Sequence, residues 1–195
     1  MAPRIAQGGL RENRLLGWAL PRLAGVVAGT APMAVFGVLG RNRPVFRGWL
    51  HFSGKLLAGG RLGRRDTELV ILRVAHLRGN DYEWQHHVHL SARVGFDAAH
   101  IDAVRRGPDA ELWDDRQRAL LRAVDRLHTD QDLDDDTWAG LRAHLDEPTA
   151  LQFLFLAGHY QMLATVLTAL RVEPDPPATG AAATAHRLLT RLRAR

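Results

Sequence analysis

The chain has 195 residues, 46% of them hydrophobic and 24% charged, with 26 basic and 21 acidic side chains for a formal charge of +5. That length supports one domain with a real core, or one core with appendages, and the composition excludes disorder throughout. No cysteine is present, which excludes disulfides, thiolate catalysis, zinc–thiolate sites and iron–sulfur clusters and accords with a reducing cytoplasm.

The basic balance is almost all arginine, since Lys55 is the only lysine. Arg116, Arg118, Arg122 and Arg126 lie among Asp114, Asp115 and Asp125, the pattern of solvated helix faces of mixed charge. No basic stripe interleaved with aromatics occurs, so no nucleic-acid partner is expected.

Taken in order, the chain reads as helix after helix. The first helices are expected over Arg11–Val27 and Pro32–Leu39, followed by a turn at Gly40–Pro44. The apolar stretch Leu23–Gly40 is interrupted by Gly25, Gly29, Pro32 and Gly37, too short and broken for a membrane span. A packed core helix is preferred there over a signal peptide, which Arg11, Arg14 and the small residues Ala28–Ala34 faintly imitate, and over a membrane-proximal or partner-docking helix. A helix over Val45–Leu57 closes at Ala58–Gly59–Gly60. The central pair follows: Arg64–Leu77, ending at Arg78–Gly79, then Asn80–Val94, ending at Gly95. Helices over Asp97–Arg105, Asp114–Leu127 and Asp134–Leu145 each begin on an acid that favours a helix start. A long apolar helix runs from Pro148 to Val172. Pro174, Pro176 and Pro177 then break the pattern, Thr179–Thr184 reads as a small-residue linker, and His186–Arg195 is a basic segment. That tail is compatible with a short amphipathic helix and is open to three readings: a disordered end, a membrane-surface contact or a partner contact. No strand alternation and no internal repeat is found. The fold class is therefore all-α, in three segments: an N-terminal helical extension (1–43), a helical domain (44–173) and a Pro/Ala-rich linker with a basic tail (174–195).

The residues that carry chemistry sit on the central pair. Glu68 is followed by Ile71, Leu72 and Ala75, three, four and seven residues on and therefore on its own helical face. A carboxylate on an apolar stripe is costly unless partnered, and burial makes it a candidate proton carrier. The plainer alternative is a salt bridge with Arg64, one turn earlier. Glu83 and His87 are four apart and share a face, so the carboxylate can fix the imidazole tautomer and favour its charged form. Here the plainer alternative is a capping box, with Asn80 as the cap and Glu83 reaching back; for His87 it is a satisfied, semi-buried histidine.

His86, His87 and His89 raise a metal reading, and Glu83-Trp84-Gln85-His86 matches the Glu-x-x-His pattern of helical di-iron proteins. That architecture needs a second motif, and the nearest imitation, Asp125–His128, lies on a charged face. No resident metal is expected. Tyr82 and Trp84 flank the site, and His159, beside Tyr160, offers a polar group in the apolar last helix. Ser53 and Ser91 are the only serines, and neither sits in a nucleophile elbow.

Glu68 with the Leu72-Arg73-Val74-Ala75 run, then Tyr82-Glu83-Trp84 and His87, resembles the carboxymuconolactone decarboxylase family within the AhpD-like superfamily. Phe46-Arg47-Gly48-Trp49, Gly107-Pro108, Leu120-Leu121, Thr137-Trp138 and Gly158-His159-Tyr160 look like its recurring landmarks, so the resemblance spans Pro44 to Glu173. It implies an AhpD-like all-helical fold and a homo-oligomer (dimer, trimer or hexamer); the cytoplasmic setting is expected from the absence of cysteine, and membrane attachment is not expected from the broken apolar stretch. It also implies a small-molecule substrate and chemistry without a cofactor. The peroxidase branch carries a Glu, a Cys-x-x-Cys pair and a His. Asn80 and Glu83 stand where those cysteines would be, so disulfide-based peroxide reduction is impossible here. The namesake reaction turns a carboxylated muconolactone into an enol-lactone and carbon dioxide. On that resemblance, catalysis falls to Glu68, Glu83 and His87. His87 is the general acid/base, Glu83 orients it, and Glu68 relays the proton or binds the lactone. Tyr82, Trp84, His86 and His159 would line the substrate, with Arg73 (or Arg47) taking its carboxylate. Against this stand a non-catalytic helical scaffold and, further off, a His/Glu metal-binding protein.

Overall fold

The computed structural model describes residues 2–57 and 60–193. It contains ten α-helices: α1 (Leu10–Ala28), α2 (Ala34–Leu39), α3 (Arg43–Leu57), α4 (Arg64–Leu77), α5 (Asp81–Ser91), α6 (Ala98–Arg106), α7 (Asp115–Thr129), α8 (Asp135–Arg142), α9 (Glu147–Leu170) and α10 (Gly180–Arg193). A 3₁₀ turn at Ala92–Val94 ends α5 early. No strand occurs among the described residues, and the one isolated bridge joins Thr30 and Pro177. The expected helix stop at Ala58–Gly59 lies outside the described residues. The expected linker at Thr179–Thr184 is instead the first turns of α10, because its alanines favour helix and the prolines stop at Pro177.

The acids expected to start helices do so through their side chains. Asp97 accepts from His100 N (3.0 Å), Asp114 from Gln117 N (2.7 Å) and Asp134 from Thr137 N (2.8 Å). Each satisfies an amide that the helix leaves without a partner, worth about 1 kcal/mol.

The chain divides into two compact units, residues 52–166 and residues 1–51 with 167–195, the divisions falling within α3 and α9. In the first unit α4 is the central element. Nine consecutive residues, Thr67 to Ala75, are buried, so the helix is enclosed on all sides, packed chiefly on α5 and α7. Phe153, Leu156 and Ala157 of α9 are likewise fully buried. Arg73 is among the enclosed residues of α4. Its guanidinium grips Asp125 of α7 twice, Nε to Oδ1 at 2.7 Å and Nη2 to Oδ2 at 2.8 Å. Nη1 donates to the carbonyls of Val104 (2.8 Å) and Arg105 (3.1 Å) at the end of α6. A cation at a helix C-terminus is favourable, and the four bonds tie three helices together. Gly107 closes α6 at φ +97°, and a Cβ there would stand 2.8 Å from Arg73 Nη2.

In the other unit α1 changes direction at Arg14 (φ 54°) and ends at Gly29 (φ 79°). α10 packs against α1, with His186 Nδ1 3.0 Å from Val26 O. Phe36, Phe46 and Trp49 form an aromatic cluster with ring centroids 5.8 to 6.4 Å apart.

One described helix, α9, is long and apolar enough to cross a membrane by length and composition, and 44% of its apolar window is buried inside the fold. The core helix of a globular unit passes the same test.

Gly107→Ala puts an L side chain in a glycine-only backbone region and against the Arg73 guanidinium. It is expected to lower stability by about 1–3 kcal/mol, read as a lower urea midpoint; an unchanged midpoint contradicts the assignment.

Candidate functional site

Glu68 faces inward from α4, Glu83 and His87 from α5. A tight turn through Gly79 (φ +57°) joins the two helices and returns α5 along α4. Asn80 opens α5 by accepting from Glu83 N at 2.9 Å. Its own amide goes to Ala75 O at 2.9 Å, so the expected capping box is only half formed. Glu83 does not reach back to the cap, and its carboxylate turns to His87 instead.

The three side chains meet in the interior. His87 Nδ1 lies 2.7 Å from Glu68 Oε2, and His87 Nε2 lies 3.4 Å from Glu83 Oε2. All three residues are buried, at 2% (Glu68), 4% (Glu83) and 6% (His87) exposure. The competing partner, Arg64, reaches Glu68 Oε1 only at 3.9 Å from a position 60% exposed. The imidazole, not the surface arginine, is therefore the main partner of Glu68.

Burial alone would strip the proton from His87. The hydrogen bonds and charges of Glu68 and Glu83 outweigh it and raise the pKa to about 9. At neutral pH the ring is an imidazolium between two carboxylates, a proton stored out of solvent. Tyr160 of α9 stands edge-on to it, ring centroids 5.2 Å apart. Its hydroxyl is pushed well above the ordinary tyrosine range by burial and then by Glu83 and Glu68, so it stays protonated. Next to Tyr160 in α9, His159 contacts Ser53 of α3, Oγ to Nε2 at 3.1 Å. Burial lowers the His159 pKa, with Glu83 acting in the opposite sense, and the ring is neutral at pH 7.

The other expected site residues divide. His159 adjoins the trio through Tyr160, at 5.3 Å between ring centroids. Tyr82 and His86 are buried and pack on each other at 4.7 Å. Trp84 packs into a separate core cluster that includes Leu69, Leu72 and Val104, with His76 5.7 Å away and Arg105 over its ring at 4.8 Å. Trp84 is packing, and it does not reach the trio. Arg73 is likewise corrected: buried, with four of its five guanidinium N–H groups committed to Asp125 and two carbonyls, it is a tie between helices and not a receiver of a substrate carboxylate. The same contact disposes of the di-iron imitation, because Asp125 is the partner of Arg73. No group of three metal-ligating side chains suited to an ion occurs among the described residues.

Ser53 was missed because only the packing of α3 on α9 brings it to His159. From sequence the serine presents itself only as a candidate nucleophile. The sequence offers Tyr160 as part of the apolar last helix and of the Gly158-His159-Tyr160 landmark, without a place in the site. Three surface cavities of about 510, 350 and 550 Å³ lie elsewhere, lined respectively by residues such as Arg78 and Gln161, Arg118 and His144, and Arg106 and Leu112.

A histidine whose folded pKa is raised stabilises the fold below its unfolded pKa and loses that contribution as pH rises through the folded value. For His87 the window runs from 6.5 to about 9, and the contribution is about 3 kcal/mol. The urea midpoint is expected to fall from pH 6.5 to 9.5, and His87→Gln to flatten that fall; an equal slope in both proteins contradicts the assignment.

The profile of the Carboxymuconolactone decarboxylase family matches residues 43–126, a span that holds Glu68, Glu83 and His87. Among curated proteins no relative matches. Among solved structures, an AhpD-core, uncharacterized peroxidase-related protein from Ralstonia eutropha JMP134 superposes with a TM-score of 0.74 at 16% identity, over 95% of this chain and 96% of that one. A cysteine-to-alanine variant of the debrominase Bmp8, in complex with 2,3,4-tribromopyrrole, gives 0.71 at 14% identity, over 97% and 98%. A protein of unknown function from Agrobacterium tumefaciens, described as a putative antioxidant defence protein AhpD, gives 0.63 at 20% identity, over 69% and 91%. Identities this low speak for the fold alone. The chain thus carries the AhpD-like all-helical fold, and its segment 43–126, with the buried trio and no cysteine, matches the carboxymuconolactone decarboxylase family.

Proposed function

We propose that the protein is a cofactor-independent acid–base enzyme of the carboxymuconolactone decarboxylase type, acting on a small lactone or carboxylated cyclic metabolite. The observation that carries this reading is the His87 ring, held between Glu68 and Glu83 with its pKa raised to about 9. Such a group is loaded with a proton at neutral pH and sits where water does not compete for it. Decarboxylation breaks the bond to the departing carboxylate and leaves its electron pair in the conjugated ring, and the proton from His87 neutralises the resulting carbanion equivalent. A related isomerisation uses the same donor.

The geometry favours exchanging the roles expected for the two carboxylates. Glu68, at 2.7 Å, is the clamp that fixes the ring. Glu83, at 3.4 Å, is the looser partner on Nε2, through which the proton is passed. An enzyme predicts that Glu68, Glu83 and His87 converge on one solvent-reachable cavity, and a scaffold predicts a filled core with an exposed Glu83 serving only as a cap. The buried Glu83 side chain, turned from the cap to the imidazole, favours the enzyme. The bound tribromopyrrole of the similarly folded debrominase is consistent with a small ring as ligand.

We also propose a homo-oligomer. Leu151, Phe155, Gly158, Met162 and Thr165 of α9 form an exposed stripe at alternating spacings of four and three, with Leu151, Phe155 and Met162 each more than half exposed. That spacing suits the same helix of a second copy.

Incubating the full chain with a panel of lactones and carboxylated cyclic acids, read by mass spectrometry, is expected to give carbon dioxide loss or isomerisation. His87→Gln should slow it about 100-fold or more; an unchanged rate removes His87 from catalysis. The double variant Phe155→Glu with Met162→Glu is expected to convert an oligomer to a folded monomer in light scattering. A monomeric wild type contradicts the stripe's assignment.

A further inference from the structure

The basic excess of the chain is not spread evenly. Residues 1–51 and 167–195, which form one of the two compact units, carry seven and five arginines against one and two acids, a formal charge of +9. The remaining 14 basic and 18 acidic residues leave residues 52–166 at −4. The interleaved charges of Arg116 to Arg126 belong to that acidic unit. We propose that the outward faces of α1 and α10 form a docking surface for an anionic lipid bilayer, on which the protein lies without crossing it. This stands independently of the chemistry proposed above.

Three observations carry the inference, all within the arginine-rich unit. The first is an apolar stripe on α1. Past the change of direction at Arg14, Leu15, Ala19 and Leu23 recur at every fourth position and share one face of the helix. Gly17, Pro21 and Gly25, at the same spacing on the opposite side, are buried. The two leucines are 69% and 65% exposed. Small residues thus face the interior of the unit and leucines face out, the reverse of an ordinary helix packed on a core. The helix cannot turn the stripe inward, because a Cβ at Gly25 would collide with the Ala31 carbonyl. The second observation is the charge beside the stripe. Arg14 and Arg22 are both exposed. Arg22 lies over the Trp18 ring at 4.3 Å, and an arginine on an indole suits the boundary between headgroups and water. The third is α10, which packs against α1. Its Arg187, Leu188 and Arg191 are exposed, Leu188 at 55%, so the second helix repeats the pairing of arginine with leucine.

Charge complementarity selects the occupant. Arginines attract anionic headgroups while leucines enter the edge of the acyl layer, and the two contributions add. A nucleic acid would use the arginines but offers the leucines nothing, and no aromatics interleave the arginines for base stacking. A second copy on the same face would bring the same positive excess against it. From Leu15 to Ala28 the helix is about 20 Å long, shorter than the hydrocarbon core of a bilayer. It therefore lies on the surface, and Gly25, one of the residues that interrupts a span, is also one that turns the leucines outward.

The test is co-sedimentation of the full chain with vesicles of phosphatidylcholine and phosphatidylglycerol, beside vesicles of phosphatidylcholine alone. Filter binding to a single-stranded oligonucleotide at the same salt runs in parallel. Binding is expected to the anionic vesicles, and to weaken about 10-fold or more between ~0.1 and ~0.5 M salt. Leu15→Ser with Leu23→Ser, which keeps every charge, is expected to weaken it about 10-fold or more. Arg187→Gln with Arg191→Gln, which keeps every leucine, is expected to do the same and decides the matter if the serine variant does not fold. Circular dichroism and light scattering are expected to be unchanged in both variants. No binding to anionic vesicles, equal binding to neutral ones, or parental binding in either folded variant overturns the inference. Tighter binding to the oligonucleotide overturns it as well. So does a folded serine variant that falls to a smaller oligomer, which assigns the stripe to a second copy.

Discussion

The interior of the larger unit is organised around one buried imidazolium. A charge at that depth is tolerable only with partners in place, and leaving it unpaired would cost about 3–5 kcal/mol. Two carboxylates therefore have to reach His87 from two helices, and the local design follows from that demand. α4 is enclosed on all sides so that Glu68 meets the ring away from water. The left-handed turn at Gly79 and the Asn80 cap set the register of α5 against α4. The Asn80 amide is satisfied by Ala75 O, which releases the Glu83 carboxylate to face His87 instead of the cap.

The surroundings of the cluster also limit what it can bind. The strongest buried cation, Arg73, is consumed in joining α4 to α6 and α7, and Gly107 is kept free of a side chain to admit it. The electrostatic character of the site is therefore set by Glu68 and Glu83. By resemblance to the thiol peroxidases of this fold, Asn80 and Glu83 occupy the two cysteine positions. The Glu83 carboxylate at the second of them stands 3.4 Å from the imidazole.

Much of this was legible in the sequence, for identifiable reasons. Acids before apolar runs marked the starts of α6, α7 and α8, and α4 was readable end to end because its Arg64 start and its Gly79 stop are both sharp. The Glu83–His87 pair followed from spacing alone. Glu68 was suspicious because a carboxylate interrupts an apolar face, yet its partner was not legible, since Arg64 at i−4 and His87 on the next helix compete for it. Distance settles that choice. Long-range packing hid the rest: Ser53 and His159 are 106 positions apart, Arg73 and Asp125 are 52 apart, and no local pattern announces either pair. Alanine-rich sequence after three prolines looked like linker, although alanine is the strongest helix former, and α10 begins there.

The most direct test of the central claim is the protonation of His87 itself. Histidine-edited NMR of the full chain, assigned with His87→Gln, follows its ring nitrogens through a pH titration. The account predicts an imidazolium that persists at neutral pH and titrates near 9, falling substantially when Glu68→Gln removes the nearer carboxylate. A wild-type ring that titrates at or below the ordinary histidine value, or one that ignores the loss of Glu68, would contradict it.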